Sequence, residues 1–93
     1  MKLEIVKEGT YIVFLDAGFS ASGKTLVFEV ATKELHKVIG IIKFDAGWWK
    51  YTFFPYSETK YEWVCMREIS DFCENQTKQW RQAVVRKQSK EVK

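Results

Sequence analysis

The sequence predicts an α+β domain: an antiparallel sheet of four or five strands with one long C-terminal helix packed on one face. Three observations carry this reading. Runs of β-branched, aromatic and aliphatic residues, separated by short turns, fill the chain up to Pro55. Beyond Pro55 the apolar residues recur at helical spacing. The strands all precede the helix, which places the helix across one sheet face rather than in crossovers between parallel strands.

In chain order, Met1 to Val6 alternates briefly and supplies a short edge strand. Thr10 to Asp16, bounded by Gly9 and by Ala17-Gly18, is the first long strand. A small, polar loop from Phe19 to Lys24 leads into a strand over Thr25 to Thr32, and Lys33 to Lys37 turns the chain. Val38 to Phe44 and Trp48 to Phe54 form a hairpin about Asp45-Ala46-Gly47. Pro55 ends it because proline cannot donate to a sheet ladder. After a loop from Tyr56 to Glu62, the residues Cys65, Ile69, Phe72, Cys73, Gln76, Trp80, Ala83, Val84 and Lys87 define a helix from Trp63 to Lys87. Such a helix is roughly 37 Å long, whereas a seven-residue strand spans roughly 23 Å. The turns carrying Trp80, Ala83 and Val84 should therefore overhang the sheet.

The chain has 93 residues, 46% of them hydrophobic, with one Pro and five Gly, which fits one folded domain over 1–88 and a basic disordered tail over 89–93. The N-terminus lacks an uninterrupted apolar run and a small-residue cleavage site, and no segment approaches the roughly 18 apolar residues of a membrane span. A cytoplasmic protein is expected. Cys65 and Cys73, eight positions apart on one helix stripe, are too distant to bridge and should be reduced and packed. His36, the single histidine, lies in a charged turn, so neither a metal site nor a cofactor is predicted.

Gly18-Phe-Ser-Ala-Ser-Gly23-Lys24-Thr25 matches the phosphate-binding loop of nucleotide hydrolases, in which backbone amides wrap phosphates. That loop must open a helix, yet Leu-Val-Phe-Glu-Val follows Thr25. Nucleotide binding at 18–25 is thus a remote alternative. No nucleophile, base and orienting group can be assembled around His36 and its neighbours Glu34 and Lys37, so an enzyme is not expected.

The hairpin from Lys43 to Pro55 interleaves rings with lysines. Trp49, Tyr51 and Phe53 share one strand face and should meet the helix with Tyr11, Val13, Leu15, Leu26, Phe28, Val30, Ile42 and Phe44. The other face then carries Ile12, Phe14, Val27, Ile39, Ile41, Trp48 and Phe54 among Glu29, Lys43, Lys50 and Thr52. An apolar second face calls for a second copy of the chain or another partner.

Ile39-Gly40-Ile41-Ile42-Lys43-Phe44, Trp49-Lys50-Tyr51-Thr52-Phe53-Phe54-Pro55, Thr59, Tyr61, Cys65-Met66, Ile69 and Phe72 together resemble a group of short uncharacterised bacteriophage and prophage proteins. The likeness covers roughly residues 26 to 75. The chain departs from the group at Lys50, where the group has Arg, at Glu62, where a capping Ser is usual, and in its long basic helix end beyond Asn75. The resemblance implies a phage origin and a hairpin-then-helix fold.

The reading that follows is a non-enzymatic, phage-type binding module, expected as a homodimer, that occupies a host protein such as a defence nuclease. Trp48, Phe54, Trp80 and Val84 would be the anchors, since aromatic residues dominate interfaces. The alternative is a single-stranded nucleic-acid-binding protein that stacks bases on Trp48 and holds phosphates with Lys43, Lys50, Arg81 and Arg86. A net charge of +3 is low for a surface that tracks a phosphate backbone, which favours a protein partner.

Overall fold

The computed structural model describes the backbone of residues 3–91 and the side chains of residues 3–85. Five strands, β1 (Glu4–Glu8), β2 (Ile12–Phe19), β3 (Leu26–Thr32), β4 (Val38–Asp45) and β5 (Lys50–Pro55), precede one helix, α1 (Trp63–Glu91). The strands form a single meander in the order β1-β2-β3-β4-β5, every neighbouring pair antiparallel. The expected α+β arrangement is the observed one. β1 and β5 are the two edges of the sheet. No helix among the described residues is long and apolar enough to cross a membrane.

α1 lies on the face made by Ile12 and Phe14 of β2, Phe28 and Val30 of β3, Ile42 of β4 and Tyr51 of β5. Cys65, Ile69 and Phe72 fill the middle of this layer from the helix side. The Phe72 ring stacks on Phe14 at 4.3 Å and meets Phe28 edge-on at 4.9 Å, two of the preferred arrangements for aromatic pairs. The edge strand from Met1 to Val6 is found at Glu4–Glu8, with Met1 and Lys2 outside the described residues. The tail expected over 89–93 meets α1, whose backbone extends to Glu91, and residues 92–93 lie outside the described residues.

Within β2 and β4, two face assignments differ from expectation. Phe14 pairs with Val30, so Ile12 and Phe14 face the helix, while Val13 and Leu15 point to the other side. Tyr11 lies ahead of the strand and is exposed. A one-residue slip exchanges every side chain of a strand between faces, and here it affects β2 alone. Ile39 was expected on the outer face, but the β3–β4 register shifts between Val30 and Ala31 and brings it into the core.

Several polar contacts fasten the helix to the sheet. Glu62 caps α1: its carboxylate accepts the Cys65 N–H at 2.6 Å and its carbonyl accepts the Met66 N–H at 3.1 Å. This hydrogen bond holds the Glu62 carboxyl below its ordinary pKa. Glu68 accepts the Thr10 N–H at 2.9 Å and the Thr10 hydroxyl at 3.0 Å, which ties the β1–β2 turn to the helix. At the opposite edge the buried Thr77 hydroxyl accepts the Tyr51 N–H at 2.9 Å and donates to the Cys73 carbonyl at 2.8 Å. The Tyr61 hydroxyl donates to the Ile39 carbonyl at 2.7 Å, and its ring meets Phe53 edge-on at 5.3 Å. A methyl group on Gly40 would come within 2.6 Å of the Phe53 ring, so glycine is required for that ring to lie across β4.

Candidate interaction site

The β4–β5 connection sets the geometry of the candidate site. Asp45 accepts the Trp49 N–H through its carbonyl at 2.8 Å, closing the turn, and the positive φ of 57° falls on Trp49 rather than on Gly47. A bulky residue rarely takes that conformation, which costs on the order of 1–3 kcal/mol unless its surroundings compensate. The compensation here is aromatic. Trp49 lies 6.2 Å from Trp80 and 6.0 Å from Phe44, and Trp80 packs on Phe44 at 4.5 Å. Trp49 therefore belongs to the turn, where it is 62% exposed, and not to a helix-facing strand. Trp80 is half-buried and locks the helix to this turn instead of projecting from an overhang.

Three concavities surround the turn. The first is an apolar groove of about 590 Å³ between β5 and α1, with Tyr51, Phe53 and Pro55 on one wall and Tyr61, Met66, Ile69 and Cys73 on the other. Trp48, 71% exposed, lines the same groove, as does Met66, 53% exposed. The second is a notch of about 400 Å³ that shares Lys50, Tyr51, Ser70 and Cys73 with the groove and adds Glu74, Thr77, Lys78 and Arg81. Groove and notch thus form one continuous surface, apolar along β5 and basic at its end. Glu74 is tied to Lys78 at 3.1 Å. Among the described residues Lys50 and Arg81 have no ion-pair partner.

The third concavity, of about 730 Å³, lies between the β2–β3 loop and the aromatic turn. Lys24 and Lys43 line it together with Phe44, Trp49 and Trp80. The loop side of this cleft is the segment that matches a phosphate-binding loop. Its amides do not converge on a vacant centre: Ser20 donates to the Thr25 carbonyl, Gly23 to the Ser20 carbonyl, Gly18 to the Asp16 carboxylate and Lys24 to the Ser22 hydroxyl. Ser20 Oγ also lies 3.0 Å from both Ser22 Oγ and Thr25 Oγ1. Thr25 leads into β3, not into a helix. The segment is a hairpin loop whose Gly18, Ser20, Gly23 and Lys24 amides are engaged by neighbouring residues, with Gly18 and Gly23 supplying its two positive-φ positions.

The residues singled out by sequence are distributed over these surfaces rather than collected on one. Trp48 was placed with Phe54 on the outer face but lines the β5–α1 groove. Phe54 does face outward, under the Lys43 ammonium at 4.9 Å from its ring centroid. Trp80 lines the end cleft, and Val84 is half-buried farther along α1. Lys43 lines the end cleft, whereas Lys50 and Arg81 line the notch. The Arg86 side chain lies outside the described residues. The expected broad apolar outer face is also more modest than predicted: Leu15, Val27, Ile41 and Phe54 are all half-buried.

Sequence reasoning missed Tyr61, Met66 and Thr77 as builders of the groove. For Tyr61 and Met66 the one available signal was their place among the residues read as a resemblance; Thr77 carried none. Both cysteines are free, and burial raises each thiol pKa to about 11, so neither is an activated nucleophile. Among the described residues no group of three or more His, Cys, Asp or Glu could hold a metal ion, and every buried side-chain polar atom has a hydrogen-bond partner. No known protein family, curated protein or solved structure matches this chain.

Proposed function

We propose that this chain is a non-enzymatic binding module that occupies another protein through the surface formed by the β5–α1 groove and its basic notch. The observation that carries this reading is the groove itself: it is apolar, runs beside an edge strand, and has the exposed Trp48 and Met66 side chains on it. Large exposed apolar and aromatic side chains around a concave apolar strip are the usual makings of an interface centre. The resemblance to phage proteins makes a host protein the expected partner.

A second reading rests on a different surface. Lys24 and Lys43 flank Trp49 and Trp80 in the end cleft, a combination suited to stacking a base and neutralising its phosphate.

Site-specific photo-crosslinking separates the two. A photoreactive residue replacing Met66 should give a discrete, protease-sensitive adduct in host cells, and one replacing Lys43 should give none. A nuclease-sensitive adduct from Lys43 alone would favour the nucleic-acid reading. Absence of adducts from both positions would overturn both.

A further inference from the structure

The hydrogen-bond parity of β5 specifies more about the partner than the groove does. The Tyr56 N–H donates to the Ile39 carbonyl at 2.9 Å, and the β4–β5 register continues from that pair without a shift. Alternation in an antiparallel ladder then assigns the main-chain groups of Phe54 and Thr52 to β4, and turns those of Tyr51, Phe53 and Pro55 to the open edge. The Tyr51 N–H is taken by Thr77, and Pro55 has no N–H. What remains at the edge is the N–H and carbonyl of Phe53, flanked by the carbonyls of Tyr51 and Pro55. An extended main chain, with alternating donors and acceptors, complements such a row.

We propose that the groove accepts a short, extended, acidic segment of another protein, which pairs with Phe53 as an added strand. The inference rests on the protein-binding reading above. Thr77 closes the edge at Tyr51 and Pro55 closes it at the other end, so the pairing is short. An alternating segment would place one apolar side chain over Phe53, Ile69 and Cys73 while its neighbours face solvent. Acidity follows from charge. The notch at the Tyr51 end holds Lys50 and Arg81 without ion-pair partners among the described residues, and its single carboxylate, Glu74, is engaged with Lys78. A second copy of the chain pairing through its own β5 is a poorer occupant, because β5 (Lys-Tyr-Thr-Phe-Phe-Pro) brings no carboxylate to that notch.

The test is selection from a displayed heptapeptide library on the full-length chain, followed by titration of the enriched peptides. Enrichment of sequences with alternating apolar residues and at least one Asp or Glu is expected. Binding should slow exchange of the Phe53 amide. N-methylation of the central peptide residues, or the Lys50→Glu/Arg81→Glu pair of substitutions, should weaken binding at least about tenfold, with the protein's circular dichroism unchanged. Selection of nothing, or of basic or helical peptides, or binding indifferent to N-methylation, overturns the proposal. Self-association of the chain that protects the Phe53 amide without any peptide would assign the edge to a second copy and also overturn it. If acidic peptides fail while a residue at position 66 still crosslinks to a protein, the binding-module reading stands and only the extended acidic segment is lost.

Discussion

The two edges of the sheet are protected in different ways. β1 is exposed along its whole length, carries Glu4, Lys7 and Glu8, and shifts register against β2 between Ile5 and Lys7. Charges and a bulge are the standard means of making an edge unattractive to another strand. β5 has neither an acidic residue nor a register break, and Lys50 is its one charged residue. It is limited instead at its ends, by the Thr77 hydroxyl and by Pro55, and between them it borders an apolar groove. One edge is blunted against strands in general, whereas the other restricts which strand could fit.

The widest disruption of that contrast comes from its common foundation. Phe72 touches β2 through Phe14 and β3 through Phe28, so Phe72→Ala should cost about 3–5 kcal/mol of stability and loosen both edges together. Denaturant unfolding gives the loss, and equal acceleration of amide exchange in β1 and β5 would identify it as global. Thr77→Val should act on one edge only. It removes the acceptor of the Tyr51 N–H and the donor to Cys73, and should cost about 1–3 kcal/mol by leaving a buried N–H unpaired. Amide exchange should quicken at Tyr51 with β1 unaffected; unchanged exchange at Tyr51 would show that the pin does not hold β5. Glu68→Ala is the counterpart at the other side. Its contacts to Thr10 are solvent-exposed, so the expected loss is smaller, about 1 kcal/mol, and confined to the β1–β2 turn.

How much of this was legible in the sequence depends on how one-sided each element is. β3 and α1 show a clear period, and their inner residues Phe28, Val30, Cys65, Ile69 and Phe72 lie where that period puts them. β2 has no such asymmetry: Tyr11, Val13 and Leu15 are as apolar as Ile12 and Phe14, so its face was settled by pairing with Val30 and not by pattern. The turn was misleading because a long-range contact overrides its local signal. Asp45-Ala46-Gly47 offers a glycine, yet the left-handed position is held by Trp49 because contacts from Trp80, more than thirty positions away, stabilise it there. The groove was the least legible part. It needs Thr77 to meet the backbone of β5 across 26 positions, and a threonine on an otherwise apolar helix stripe does not announce a main-chain partner.

The smallest expected effect concerns the start of the helix that borders the groove. Accepting the Cys65 N–H stabilises the charged form of Glu62, so its folded-state pKa lies below the ordinary 4.5. A carboxyl with a depressed folded pKa contributes stability that is fully present above the unfolded value and is lost as pH falls through the folded one. Acidification below pH 4.5 should therefore fray the first turn of α1, where Met66 lines the groove. Glu62→Gln should remove this component of the pH dependence while leaving the cap partly intact, since the amide oxygen still accepts a hydrogen bond. The measurement is the acid transition of the Cys65 and Met66 amide resonances in the two proteins. Coincident transitions would mean that the cap does not control this end of the groove; an earlier onset in the native sequence than in Glu62→Gln would mean that it does.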